Sequence, residues 1–402
     1  MTQTTARETP AERRDVRRQA LDSMRRLRRQ ADLRNYTLLG VLVVIWLAFQ
    51  VLTDGIFLSQ RNLGLLALQT TIVSLAAISA VMLIVTRNFD ISVGSAVALV
   101  GVVLAVLTVR MGVSPPLAIL AALLAGVAMG AWQGWWVTRL GIPSFIVTLA
   151  GMLYFRGLSL IVTDGETVAP LPGSLTRFAT GYLPPFYSTS LILVLLGLYA
   201  GLQVGLARRA RRLGLVERIR PVLVRAMLPV CVAAMAAFYV AALLGIPYLV
   251  LLLAAVTIAA ELLMRRTRFG TQLYAIGGNP EAARLAGIKV GSVVFRDFVL
   301  AGLAYGITGI ALTARVSGAV AGSAGVFLEL DAIAAAIIGG TSLSGGRGRI
   351  LGALLGALLM GSLNNGMSLL NVPTFYQETS RGIVLLVAVA IDQLSRRGRV
   401  DR

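Results

Sequence analysis

The sequence predicts an all-α fold, a polytopic membrane helical bundle of about twelve transmembrane segments, and three observations carry that expectation. The 402 residues are 57% hydrophobic and only 14% charged, whereas a soluble domain carries about 25% charge. Mean hydropathy is +0.80. Apolar runs recur along the whole chain, and a spanning helix needs roughly 17–25 such residues. The same features exclude an ordinary soluble enzyme and a disordered chain, which requires low hydrophobicity and high net charge. No polar stretch exceeds about 35 residues, too few for a separate soluble domain of about 100–150 residues.

Taken in order, residues 1–35 form an Arg-rich tail with five acids interspersed, expected to be solvated. The charged region is too long for a signal peptide, and no small-residue cleavage site follows the first apolar run. Candidate spans follow at 36–52, 63–86, 91–109, 117–138, 144–162, 190–207, 226–244, 247–264, 297–316, 330–345, 349–369 and 380–395. Segments 91–109 and 330–345 adjoin Gly/Ser-rich turns and read either as spans or as half-helices and re-entrant segments. Residues 396–402 close the chain as a basic tail.

Charge placement orients the spans. The loop 208–225 holds seven arginines against Glu217, and the loop 265–296 holds six basic residues against Glu281. The loop 163–189 holds Asp164, Glu166 and Arg177. Basic loops stay in the cytoplasm. Both termini are therefore expected inside, with 163–189, 317–329 and 370–379 facing out. The net charge of +19 follows this loop pattern, which argues for topology rather than nucleic acid.

Glycines mark where helices meet. Gly126, Gly130 and Gly134 recur every four residues, as do Gly348, Gly352 and Gly356, and Gly302 with Gly306. Such spacing lets backbones approach closely in lipid.

Several chemistries are absent. The chain has no histidine, which removes His-based catalysis, proton relay and metal ligation. Its one cysteine, Cys231, permits no internal disulfide and no thiolate cluster. No phosphate loop of the Gly-x4-Gly-Lys-[Ser/Thr] type occurs. Gly339–Gly346 resembles one superficially, but it lies between apolar runs and reads as a tight membrane turn. Among charges in or near the spans, Glu261, Asp297 and Arg315 read as interface anchors. Asp331 is the stronger functional candidate, with a structural ion pair as the competing role.

The loop 268–290 is the most informative stretch. Asn279 suits an N-cap, Pro280 the first helical position, Glu281 the positive helix end and Gly287 the C-terminal stop. This predicts a short isolated helix over 280–286. Its residues Glu281, Ala282, Ala283, Arg284, Leu285 and Ala286 are small or singly charged apart from Leu285. They suit either a knob docked into a partner's groove or a surface linker.

At this point the chain resembles a known family. The 268–290 loop, Phe89-Asp90-Ile-Ser-Val-Gly-Ser95, Gly141–Leu149, Glu329–Ala336, Gly339–Arg349 and Leu363-Asn364-Asn365-Gly-Met367 follow the order and spacing of the ABC sugar-importer permeases. The resemblance covers about 60–395, and is to the xylose and ribose permeases, the xylose type in particular. Asn371–Gln377 and an extra span pair at about 190–244 carry that preference, while Gln377-Glu-Thr-Ser-Arg381 departs from a more apolar family stretch.

The resemblance implies a ten-helix type II importer core plus the inserted pair, working as a bacterial inner-membrane subunit. It implies a second permease copy, most simply in a homodimer, two cytoplasmic ABC ATPase subunits and an extracytoplasmic sugar-binding protein. The chain itself would bind no cofactor, with ATP and magnesium held by the ATPase. Asn279–Gly287 would couple to that ATPase. Asp90, Ser92, Gly94, Ser95, Asp331, Gly339, Gly340, Thr341, Ser342, Asn364 and Asn365 would lie along the pathway or its gates. A neutral sugar would ask for a mostly small-residue, apolar pathway with few hydrogen bonds. The alternative is an ion-coupled secondary transporter, for which Asp90 and Asp331 would serve as coupling carboxylates.

Overall fold

The computed structural model describes residues 38–212, 239, 241 and 244–400. The N-terminal tail, the tip of the basic hairpin and nearly all of the expected span 226–244 lie outside the described residues. The helices are α1 (Leu38–Leu52), α2 (Gln60–Val85), α3 (Val93–Ala105), α4 (Pro115–Arg139), α5 (Ser144–Thr163), α6 (Gly173–Thr180) and α7 (Pro185–Arg212). After the basic hairpin come α8 (Tyr248–Arg266), α9 (Arg268–Gly278), α10 (Pro280–Leu285), α11 (Val290–Val316), α12 (Leu328–Ile338), α13 (Ile350–Leu369) and α14 (Thr374–Val400). Among the described residues, eight helices are long and apolar enough to cross a membrane: α2, α3 with its terminal π turn (Val106–Arg110), α4, α5, α7, α8, α11 and α13.

The core forms around α2, which is apolar on all sides and buried on nearly all of them. Around it pack α8, α11, α12 and α13. The glycine spacing decides two of the contacts. Gly126 and Gly130 of α4 lie directly on the backbone of Gly302 and Gly306 of α11, where an added Cβ would strike a carbonyl or an amide. In the same way Gly352 and Gly356 of α13 meet Gly339 and Ala335 at α12. Backbone-to-backbone approach of this kind needs the small-residue repeat seen in the sequence.

Two short antiparallel bridges tie the loops at one end. β1 (Thr167–Val168) pairs with β4 (Ala319–Val320), and β2 (Tyr182–Leu183) pairs with β3 (Ile246–Pro247). The loops 163–189 and 317–329, expected on one side, thus meet there. At the opposite end lie α9, α10 and the α12–α13 loop. Among the described residues, helix α7 buries only Ser188, Ile192 and Ala207.

The run 330–345, read either as a span or as a half-helix, takes the shorter form: α12 stops at Ile338, where Gly339 and Gly340 end it, and eleven residues span only about 16 Å. One expectation changes. Asp297 is not an interface anchor. It is fully buried in α11, and Thr86 Oγ1 donates to its Oδ2 at 3.0 Å.

Candidate functional site

The short helix α10 forms as its sequence dictates. Asn279 Oδ1 accepts from the Glu281 and Ala282 amides, both at 3.1 Å, and Gly287 turns the chain with φ +83°. Of the set Asn279–Gly287, only Ala283 is buried. Glu281, Ala282, Arg284, Ala286 and Gly287 are exposed, and Leu285 is 86% exposed. A leucine held out on a rigid capped turn, flanked by one acid and one base, is a ready contact for another protein.

Just before it, α9 ends on Gly277 and Gly278. Burial raises the phenol of Tyr274 above its ordinary value, the nearby Glu261 carboxylate adding to that. Its hydroxyl donates to the Gly348 carbonyl at 2.9 Å.

The second element of the site is the broken connection between α2 and α3. The Phe89 and Ile91 amides donate to Ser144 Oγ (3.1 Å) and Thr148 Oγ1 (3.3 Å) of α5. Asp90 Oδ1 accepts from the amide and the hydroxyl of Ser92, both at 2.6 Å, and Oδ2 accepts from the Tyr305 hydroxyl of α11. Gln133 of α4 donates to Ser92 Oγ. Ser95 Oγ donates back to the Ser92 carbonyl at 2.9 Å. Gln133 lies six residues from the end of α4, so α3 starts about 9 Å inside the bundle.

The third element is the segment 321–327 ahead of α12. Arg156 Nη1, on α5, donates to the carbonyls of Ala321 (3.1 Å) and Ala324 (2.8 Å). Arg156 is seven residues from the end of α5, which places this irregular backbone about 10 Å inside. Gly94 lies against the Gly325 carbonyl and the Glu329 carboxylate, so the starts of α3 and α12 meet within the bundle. Irregular backbone at such depth is tolerated only where protein groups satisfy it, and Arg156, Ser144 and Thr148 do so here.

Adjacent asparagines on α13 join the remaining helices. Positions one residue apart on a helix point about 100° apart, so each reaches a different neighbour. Asn365 exchanges hydrogen bonds with Asn62 of α2 (2.9 and 3.0 Å) and donates to Gln69 Oε1 (3.3 Å). Asn364 donates to Asp331 Oδ2 of α12 (3.1 Å) and accepts from Arg381 Nε of α14 (3.0 Å). Arg381 also lies 3.8 Å from Asp331 Oδ1 and 5.8 Å above the Phe327 ring.

The sequence-predicted residues thus fall into separate groups. Asn279–Gly287 project at one end. Asp90, Ser92, Gly94 and Ser95 form the α3 entry. Asp331, Asn364 and Asn365 join four helices, and Gly339–Ser342 turn beneath α12. Asp90 and Asp331 share no partner. Sequence reasoning missed Arg87, Gln133 and Tyr305, and marked Arg156 and Arg381 only as charges in or near the spans; each acts through a partner far along the chain. A separate cavity of about 410 Å³ opens between α4, α6, α8 and α11. Pro115, Leu123, Leu175, Phe178, Ile307 and Ile310 line it, which suits no hydroxylated ligand.

Residues 62–389 match the family described as branched-chain amino acid transport system / permease component, a stretch that includes all three elements and the asparagine pair. The chain is 42% identical to the xylose transport system permease protein XylH of Escherichia coli K12, over 91% of this chain and 93% of that protein. It is 40% identical to XylH of Haemophilus influenzae, over 92% and 98%. It is 34% identical to the ribose import permease protein RbsC of Escherichia coli K12, over 84% and 87%. No solved structure matches it. A many-helix bundle with broken inner helices and a projecting capped helix is thus a member of this family of transport permeases.

Proposed function

We propose that the chain is the membrane-spanning subunit of an ATP-driven importer for a pentose, with xylose as its substrate. Two copies form the pathway between them, two separate ATPase subunits hydrolyse ATP beneath, and an extracytoplasmic binding protein delivers the sugar. The subunit sits in a bacterial inner membrane with both termini in the cytoplasm. The substrate reading rests on the identity to xylose permeases along nearly the full chain. The observation that carries the mechanism is α10, which exposes Glu281, Ala282, Arg284 and Leu285 and follows directly on the α9 end that touches the turns leading to both broken helices.

The mechanism is alternating access. Closure of the ATPase pair draws the two α10 helices together. The turns above them shift, and the starts of α3 and α12, which meet at Gly94 and Gly325, move with respect to the partner copy. Asp90, Ser92, Gly94 and Ser95 on one side, and Asp331, Asn364, Asn365 and Gly339–Ser342 on the other, belong to the moving frame. An ion-coupled route is disfavoured by the same geometry. Asp90 is already held by Ser92 and Tyr305, and Asp331 by Asn364 with Arg381 beside it.

The test is radiolabelled xylose uptake into proteoliposomes holding this chain, its ATPase and the binding protein. Uptake that requires both internal ATP and the binding protein is the expected result. Uptake by this chain alone on an ion gradient would overturn the importer reading. ATP hydrolysis without movement of xylose would reject the sugar.

A further inference from the structure

Arg87 follows the end of α2 with φ +67°, a left-handed backbone conformation that favours glycine. Its side chain explains why an arginine is there. Nε donates to the Gly277 carbonyl and Nη2 to the Gly278 carbonyl, both at 2.8 Å. These carbonyls belong to the last turn of α9, where helical partners run out and the helix end is negative. The guanidinium satisfies both and adds charge of the right sign.

The same point holds the α12–α13 loop. The Gly346 amide donates to the Val85 carbonyl at 2.9 Å. A Cβ at Gly277 would strike the Val85 carbonyl and the Gly346 amide, and a Cβ at Gly345 would strike the stem of Arg87. Three chain segments therefore touch backbone to backbone around one guanidinium. One leads after three residues to Asp90 and the start of α3. One comes down from α12. The third continues directly into Asn279 and α10.

We propose that Arg87 is a positioning residue for energy coupling: it clamps the base of the docking helix to both broken helices, so that a displacement of α10 becomes a displacement of the α3 and α12 entries. This rests on the importer reading. Were the turn at residue 87 the only requirement, glycine would serve better. The arginine adds only the clamp, and it sets that clamp at the one place where all three segments converge.

The test uses the assembled complex of this chain, its ATPase and the binding protein in proteoliposomes. Xylose moved per ATP hydrolysed is the readout. Arg87→Gly suits the backbone and removes the clamp, so the protein is expected to melt within a few degrees of the native chain and to keep its ATPase bound. Its xylose-to-ATP ratio is expected to fall about tenfold, the scale of one or two lost charge-assisted hydrogen bonds. Arg87→Lys, which keeps the charge and one donor direction, is expected to fall between the two. An unchanged ratio in Arg87→Gly would overturn the proposal, and so would loss of the ATPase from the complex, which would make Arg87 a builder of the docking surface. Should Arg87→Gly fail to assemble, Arg87→Lys decides alone: a native ratio overturns the clamp, a lowered one upholds it. Absence of ATP-dependent uptake by the native complex would instead strike the importer reading itself.

Discussion

Arg381 and Asp331 form the ion pair whose removal is most instructive. Asp331 is 8% exposed at its side chain, and its Oδ1 faces no partner nearer than Arg381 at 3.8 Å. Removing one partner of a buried pair typically costs about 3–5 kcal/mol, because the other charge stays buried. Arg381→Ala is therefore expected to lower the melting temperature of the purified protein. Asp331→Asn in the same chain is expected to restore most of it, by returning a neutral group beside Asn364. A double variant as unstable as Arg381→Ala would show that packing of the arginine stem, not charge, is what matters. Asn62 and Asn365 make a complementary case. Each alone to Ala strands a buried amide at a cost of about 1–3 kcal/mol, and the pair changed together is expected to cost less than the sum, a coupling that a double-mutant cycle in thermal denaturation measures. None of these partnerships was legible in the sequence. Asp331, Asn364 and Asn365 stood out as polar residues in apolar runs, but Arg381 lies 50 positions from Asp331 and Asn62 lies 303 from Asn365. Spacing rules reach four residues, and these pairs depend on how whole helices come together.

At the scale of elements, what was legible is what is local. The capped helix α10 follows from Asn279, Pro280 and Gly287, all within nine residues, and it forms where it was expected. The α4–α11 contact follows from the four-residue glycine repeat. Gly302→Val is expected to separate these helices and destabilise the protein strongly, since even one methyl would meet the Gly126 carbonyl and the Gly130 backbone. Gly201→Val on α7, where nothing lies within 4 Å, is expected to leave the melting temperature within error. Equal losses at the two sites would refute the close-packing account. What was only partly legible is length. The run 330–345 reads either as a span or as a half-helix, and hydropathy alone cannot distinguish a helix that crosses from one that stops at Gly339. The stop is set by Gly339 packing on Gly352 of α13, a tertiary contact, with Gly340 turning the chain at φ +102°.

For the whole molecule, the two ends have different tasks. One end presents α10, and the assembly with the ATPase is expected to depend on it. Leu285 is almost wholly exposed, so Leu285→Asp should change stability by less than about 0.5 kcal/mol. The same change is expected to release the ATPase from the purified complex. Exchanging the charges with Glu281→Arg and Arg284→Glu is expected to weaken transport-coupled hydrolysis while leaving membrane insertion intact. Retention of ATPase and transport by both variants would contradict the docking role. The opposite end is shaped by the β1–β4 bridge and the chain that hangs from it.

That bridge makes the segment 321–327 a tether with one fixed end. Thr167 and Val168 pin Ala319 and Val320 at the rim, while Leu328 begins a helix that rides on α2 and α13. Seven residues of irregular chain must absorb any stroke of α12, with Arg156 as their one cationic peg from α5. The tether therefore works as a built-in gauge. A small environment-sensitive dye on Ser323, which is exposed beside that peg, would change its emission once per transport cycle if α12 moves. It would stay silent if the bundle turns as a rigid whole.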